Sequence, residues 1–170
     1  KGITITVSKS PLPVRSTFAQ TRDAIANGGV ILHESEGTKK VVFATIGDMV
    51  LGPVMDATKQ LEAQGFGVRV VAVVNPRRLY RSSDVLWDTC SEPDDEFLSD
   101  AAFELMFGGD AVIGVTGGPA NMLEPVLLRS RANRDVFAWK RGETTASAGE
   151  LMTFNGITSK AIVKRAIELA

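Results

Sequence analysis

Three short apolar runs constrain the fold of this chain more than any other feature: Lys40–Thr45, Val68–Val74 and Ala111–Val115. Each is almost continuous in β-branched and small apolar residues, without the in-and-out alternation of a half-exposed strand. Strands of that kind are covered on both faces, as in a parallel sheet layered between helices. Gly29–His33 and Asp135–Trp139 are shorter candidates, and Ile3–Val7 alternates as an edge strand would.

Helical patterns fill the gaps. Ser16 or Thr17 can cap a helix running to Ala26, which Asn27-Gly28-Gly29 ends with residues that tolerate positive φ. Gly52-Pro53 opens a second helix with Val54, Ala57 and Leu61 on one face, stopping at Gly65. Ser99 caps a third, with Phe103, Met106 and Phe107 turned inward. Pro119 in a first-turn position starts a fourth, running through Met122, Leu123, Val126 and Leu127. Thr158 or Ser159 caps the last, where Ile162, Val163, Ala166, Ile167 and Leu169 keep a helical period. Strand and helix alternate, so the expected fold is α/β. It has three layers: a mainly parallel (mixed) sheet with helices on both faces, in a single domain over 1–170. A chain of that length buries roughly 70% of the surface its unfolded form exposes.

Composition narrows the function classes. The net charge is −1, which offers neither nucleic acid nor a membrane surface the basic patch it would need. No apolar run is long enough to span a bilayer. Cys90 is the only cysteine, so no internal disulfide forms, and a reducing, cytoplasmic setting is expected. One cysteine and one histidine, His33, supply too few soft ligands for a metal centre, and no Ser-His-acid set can be assembled. His33 at a strand end reads as a structural or surface residue.

Few residues remain as site candidates. Gly47-Asp48 followed by Asn75 has the look of half a thiamine diphosphate site, in which an Asp and an Asn hold magnesium against the diphosphate. The plainer reading makes Gly47 the turn and Asp48 the cap of the next helix, and it is preferred. Gly117-Gly118-Pro119 follows a strand, where an anion could meet free N–H groups; a tight turn explains it better. Arg77, Arg78 and Arg81 follow another strand end, in a long irregular stretch of the kind that is often functional or a contact surface. Their default role is pairing with Asp84, Asp88, Asp94 and Asp95. Arg129, Arg131 and Arg134 are expected to offset the dipole of the fourth helix, with phosphate binding as the alternative. Thr144 and Thr145 are expected helix caps; in a functional role they and Glu143 would reach across a subunit boundary.

Taken in order, several segments resemble the C-terminal domain of phosphoketolases, relatives of transketolase. They are Lys9–Pro13, Gly47-Asp48, Val68–Val74, Leu98–Phe107, Asp110–Ile113, Arg131–Asn133, Glu143–Thr145 and Leu151-Met152. The chain departs from the family at Gly117–Asn121, where a His-Gly-Tyr-Pro-Trp-type turn is usual. It departs again near Glu92-Pro93-Asp94, where a His-Pro-His element is expected, and over Arg141–Ser147, so it looks like a divergent branch.

The resemblance implies a piece of a larger cytoplasmic enzyme, and the chain's start at Lys1 fits that expectation. The parent would cleave ketose phosphates (xylulose 5-phosphate or fructose 6-phosphate) with inorganic phosphate, giving acetyl phosphate and an aldose phosphate. Thiamine diphosphate and magnesium would sit between two preceding domains of a homodimer. This domain would hold no catalytic residue, cofactor or metal, would support the dimer, and would be inactive alone. Arg77, Arg78, Gly117, Gly118, Glu143, Thr144 and Thr145 are then candidate anion or interface contacts. The alternative is a free-standing regulatory module that binds a nucleotide or phosphate at a strand-end cleft.

Overall fold

A computed structural model describes residues 14–80, 97–140 and 146–170. In chain order the elements are α1 (Phe18–Asn27), β1 (Gly29–Glu34), β2 (Lys40–Ile46), α2 (Leu51–Glu62), β3 (Gly67–Val73) and α3 (Asp100–Phe107). Then follow β4 (Ala111–Thr116), α4 (Glu124–Leu127), β5 (Asn133–Phe137), α5 (Ala148–Phe154) and α6 (Ser159–Leu169). The expected strand at Ile3–Val7 lies outside the described residues.

The strands form one sheet in the order β1-β3-β2-β4-β5. β3, β2, β4 and β5 run parallel, and β1 pairs antiparallel with β3 at the edge. The continuous apolar runs make the three central strands, whose alternate residues feed two separate cores. Val41, Phe43, Val68, Val70, Ile113 and Val115 point to one face, against α2 and α6. Val42, Ala44, Val71, Val73 and Val112 point to the other, against Phe103 and Phe107 of α3 and Val126 and Leu127 of α4. The result is a mixed sheet with helices on both faces, as the sequence pattern predicts.

Chain reversal is set by local chemistry. Thr17 and Gln20 form a reciprocal capping box at the start of α1, and Gly28 ends that helix at φ 86°. Ser99 caps α3 and Thr158 caps α6 through their hydroxyls. Two sequence expectations fail here. Pro119 does not begin a continuous helix: a 3₁₀ turn at Ala120–Met122 gives way to a four-residue α4. Pro125 lacks the N–H an unbroken helix would need and is tolerated only in the first turn of a new one. Second, α5 begins at a capping box of Ser147 and Glu150, so its cap is Ser147 and not Thr144 or Thr145, the caps expected in this stretch.

Arg129 follows a four-residue α4 that has no basic residue in its last turn, so the dipole role expected of it gives way to a clamp. Its guanidinium donates to the Leu79 carbonyl at 2.8 Å, the Leu98 carbonyl at 2.9 Å and Asp100 Oδ1 at 2.7 Å. It also lies over the rings of Phe97 and Phe103, 3.9 and 4.2 Å from their centroids. The Leu98 N–H donates to the Arg78 carbonyl at 2.8 Å, so positions 78 and 98 are joined directly.

Candidate functional site

The carboxyl ends of β2, β3 and β4 carry Gly47, Asp48, Asn75, Arg77, Arg78, Gly117 and Gly118. β2 is flanked by β3 and β4, reached through helices on opposite faces, so its carboxyl end marks the crevice where an open α/β sheet binds ligands. Gly47 leaves β2 at φ 98°, a conformation that suits glycine, and Asp48–Val50 form a 3₁₀ turn leading into α2. Asp48 does not cap α2, contrary to the expectation for it; it lines a groove instead. The Asn75 amide donates to the Ile25 carbonyl at 3.4 Å.

The turn after β4 closes on itself. The Gly117 N–H donates to the Ile46 carbonyl at 3.3 Å, and the Gly118 N–H donates to Thr116 Oγ1 at 3.0 Å. The Trp139 N–H donates to the Gly118 carbonyl at 2.9 Å, tying this turn to the end of β5. A Cβ at Gly118 would meet Met122 Sδ at 2.3 Å, so the turn packs directly on the 3₁₀ segment. Both glycine N–H groups are thus engaged within the fold.

Arg77 and Arg78 follow β3 in a 3₁₀ turn. Arg78 Nε donates to the Ala26 carbonyl at 2.8 Å, and Arg77 is exposed. β2 lies between their strand and that of Gly117, so the two candidate groups stand roughly 10 Å apart or more, two strand spacings. Glu143, Thr144 and Thr145 lie outside the described residues, as do Arg81 and its expected acidic partners. Among the described residues no group of three or more His, Cys, Asp or Glu side chains could hold a metal ion, and no helix is long and apolar enough to cross a membrane.

His33 is half-buried at a bulge in β1, and its Nε2 lies 2.6 Å from Glu62 Oε1 at the end of α2. Hydrogen bonds from Ser35 and then His33 hold the Glu62 carboxyl below the usual range. This pair ties the edge strand to the helix above it, well away from the crevice.

Sequence reasoning misses a groove of about 450 Å³ on the α2 face, beside the same carboxyl edge. Its floor is the β1–β3 ladder, with Val30, Leu32, Ala72 and Val74. Met49, Leu51 and Gly52 at the start of α2 form one wall, and Arg15, Ser16 and Thr21 form the other. No local pattern could have revealed it, because its walls come from four separate stretches of chain.

No protein-family model and no curated protein matches this chain. Solved structures do. Transketolase from Campylobacter jejuni aligns at a TM-score of 0.57 with 20% identity, over 85% of this chain and 19% of that one. Transketolase from Leishmania mexicana aligns at 0.59 with 20% identity, over 86% and 18%. A split-gene transketolase described as an inactive beta4 tetramer aligns at 0.61 with 18% identity, over 95% and 48%. This is the fold of a transketolase C-terminal-like domain. The chain spans less than half the length of each of these transketolase chains.

Proposed function

We propose that this chain is the supporting C-terminal domain of a thiamine-diphosphate enzyme of the transketolase kind, and specifically of a phosphoketolase-like branch. The observation that carries the reading is the transketolase-like architecture over 85–95% of the chain. The phosphoketolase-like order of its sequence segments supports the finer assignment. The parent reaction breaks the C2–C3 bond of a ketose phosphate, releases water and passes the two-carbon unit to inorganic phosphate. Acetyl phosphate and a shortened aldose phosphate result. Thiamine diphosphate, where bound, supplies the stabilised carbanion for such a cleavage.

In this reading the cofactor site is made by residues outside this chain. Asp48 and Asn75 end neighbouring strands, but the Asn75 amide is engaged by the Ile25 carbonyl. No further acid joins them in a metal-holding group among the described residues. In this reading the cofactor and magnesium are held by the preceding domains of the same chain and a second subunit, in a cytoplasmic homodimer. Residues 1–170 form one domain of that enzyme. Its carboxyl edge, with Arg77, Arg78, Gly117 and Gly118, and the Glu143-Thr144-Thr145 segment contact those partners.

The test is acetyl phosphate production from xylulose 5-phosphate and inorganic phosphate, with thiamine diphosphate and magnesium present. The 170-residue chain alone is expected to give none, and the chain joined to its upstream domains is expected to give product. Turnover by the isolated chain would refute the supporting role. Sedoheptulose 7-phosphate from added ribose 5-phosphate, in place of acetyl phosphate, would retain the transketolase reading and refute the phosphoketolase one.

A further inference from the structure

The groove between β1, α2 and the Arg15–Thr21 stretch is unlike the rest of the carboxyl edge. Its volume, about 450 Å³, lies within the range of small-molecule sites, about 300–1,000 Å³. Its floor is aliphatic: Val30, Leu32, Ala72 and Val74 present a continuous apolar strip along two paired strands. Val74 and Met49 remain exposed at its rim, where nothing described covers them.

Two residues of opposite charge line this apolar trough, Arg15 and Asp48. Neither has an ion pair or side-chain hydrogen bond within the described structure. Other charged groups on nearby strands are paired: Glu34 with Arg69 and Lys40, and His33 with Glu62. Beside Asp48, α2 begins without a side-chain cap, and the space over Gly52 is open.

We infer that this groove binds an α-amino acid with an apolar side chain. A zwitterion is the ligand class that satisfies both charges at once. Its carboxylate pairs with Arg15, whose fork suits two parallel hydrogen bonds, and its ammonium pairs with Asp48. The side chain lies along the aliphatic floor, gaining on the order of 25 cal/mol per Å² of apolar surface removed from water. A simple anion would leave Asp48 unsatisfied, and a simple cation would leave Arg15 so. A nucleotide would bring two or more negative charges against Asp48, with one arginine to offset them.

The inference stands apart from the enzyme reading, because binding is measured without turnover. Isothermal calorimetry on the full 170-residue chain uses L-leucine, L-phenylalanine, glycine, isocaproate and isoamylamine as probes. Leucine or phenylalanine is expected to bind one per chain. Glycine lacks the side chain, isocaproate the ammonium and isoamylamine the carboxylate; each is expected to bind at least about ten-fold more weakly. Arg15→Gln and Asp48→Asn alter exposed residues and are each expected to weaken leucine at least about ten-fold, with unchanged thermal melts. Absence of saturable heat from leucine and phenylalanine would overturn the assignment. Equal affinity for glycine and leucine, or unchanged binding by both variants, would do the same. Self-association of the chain that is abolished by Asp48→Asn would assign the groove to a second copy and overturn it too.

Discussion

Arg129→Ala offers the sharpest test of what holds the α3–α4 face together. The Arg129 side chain is only 10% exposed. Its bonds to the Leu79 and Leu98 carbonyls are charge-assisted, worth about 1.5–3 kcal/mol each. The Asp100 partner is 87% exposed, so that ion pair adds about 0.5 kcal/mol or less. Stacking over Phe97 and Phe103 adds roughly another 1 kcal/mol. These contributions overlap, and deletion also releases side-chain entropy. The expected loss is therefore about 3–4 kcal/mol, or about 6–16 °C in Tm for a chain of this size. Urea unfolding followed by circular dichroism measures it. Arg129→Lys keeps the charge but loses the planar fork, and should recover less than half of the loss. The reasoning fails if Arg129→Ala lies within about 0.5 kcal/mol of the wild type, or if Arg129→Lys equals it.

Other consequences follow from the charges and the tight backbone contacts. Hydrogen bonds from Arg69 and then Lys40 hold the Glu34 carboxyl down to about 2, against an ordinary value of 4.5. A depressed carboxylate contributes stability that is fully present above 4.5 and is lost as pH falls toward 2. The urea midpoint should decline through that window, and Glu34→Gln should flatten the decline; equal slopes would show the cluster to be inert. A Cβ at Gly67 would stand 2.7 Å from the Gly37 nitrogen and 3.0 Å from the Ser35 carbonyl, both backbone atoms. Gly67→Ala should cost about 2 kcal/mol or more in a thermal melt. Gly52→Ala meets nothing within 4 Å and serves as the harmless counterpart; a similar loss in both variants would refute the steric account.

The sheet was readable in the sequence because its central strands are buried on both faces and so are written as unbroken apolar runs. Caps at Thr17, Ser99 and Thr158 were readable because each hydroxyl bonds a backbone N–H only three residues on. The range of α5 and its cap at Ser147 are not legible despite the capping-box spacing of Ser147 and Glu150, because none of its residues is fully buried and its apolar pattern is short. The helical period of Met122, Leu123, Val126 and Leu127 reads as one helix from Pro119, whereas Pro125, which lacks an N–H, starts a separate short one. The groove and the Arg129 clamp were out of reach for another reason. Arg15 lines the groove with residues of β1, β3 and the start of α2, and Arg129 bonds residues 31 and 50 positions away, so both depend on the finished topology.

The antiparallel setting of β1 gives the molecule a direction of approach. Gly29 pairs with Val73, so β1 begins at the carboxyl edge of its neighbour, and Arg15 and Ser16 line the groove beside that edge. The last residues lie at the opposite end of the strands. Asn133 at the start of β5 donates to the Leu169 carbonyl, and Lys39 just before β2 donates to the Ala170 carbonyl. Seven residues of β2 separate the two ends, a span of about 20 Å. A bulky fusion after Ala170 therefore hangs clear of the groove. Tags for binding work belong after Ala170, and a spectroscopic reporter for that edge belongs near Arg15.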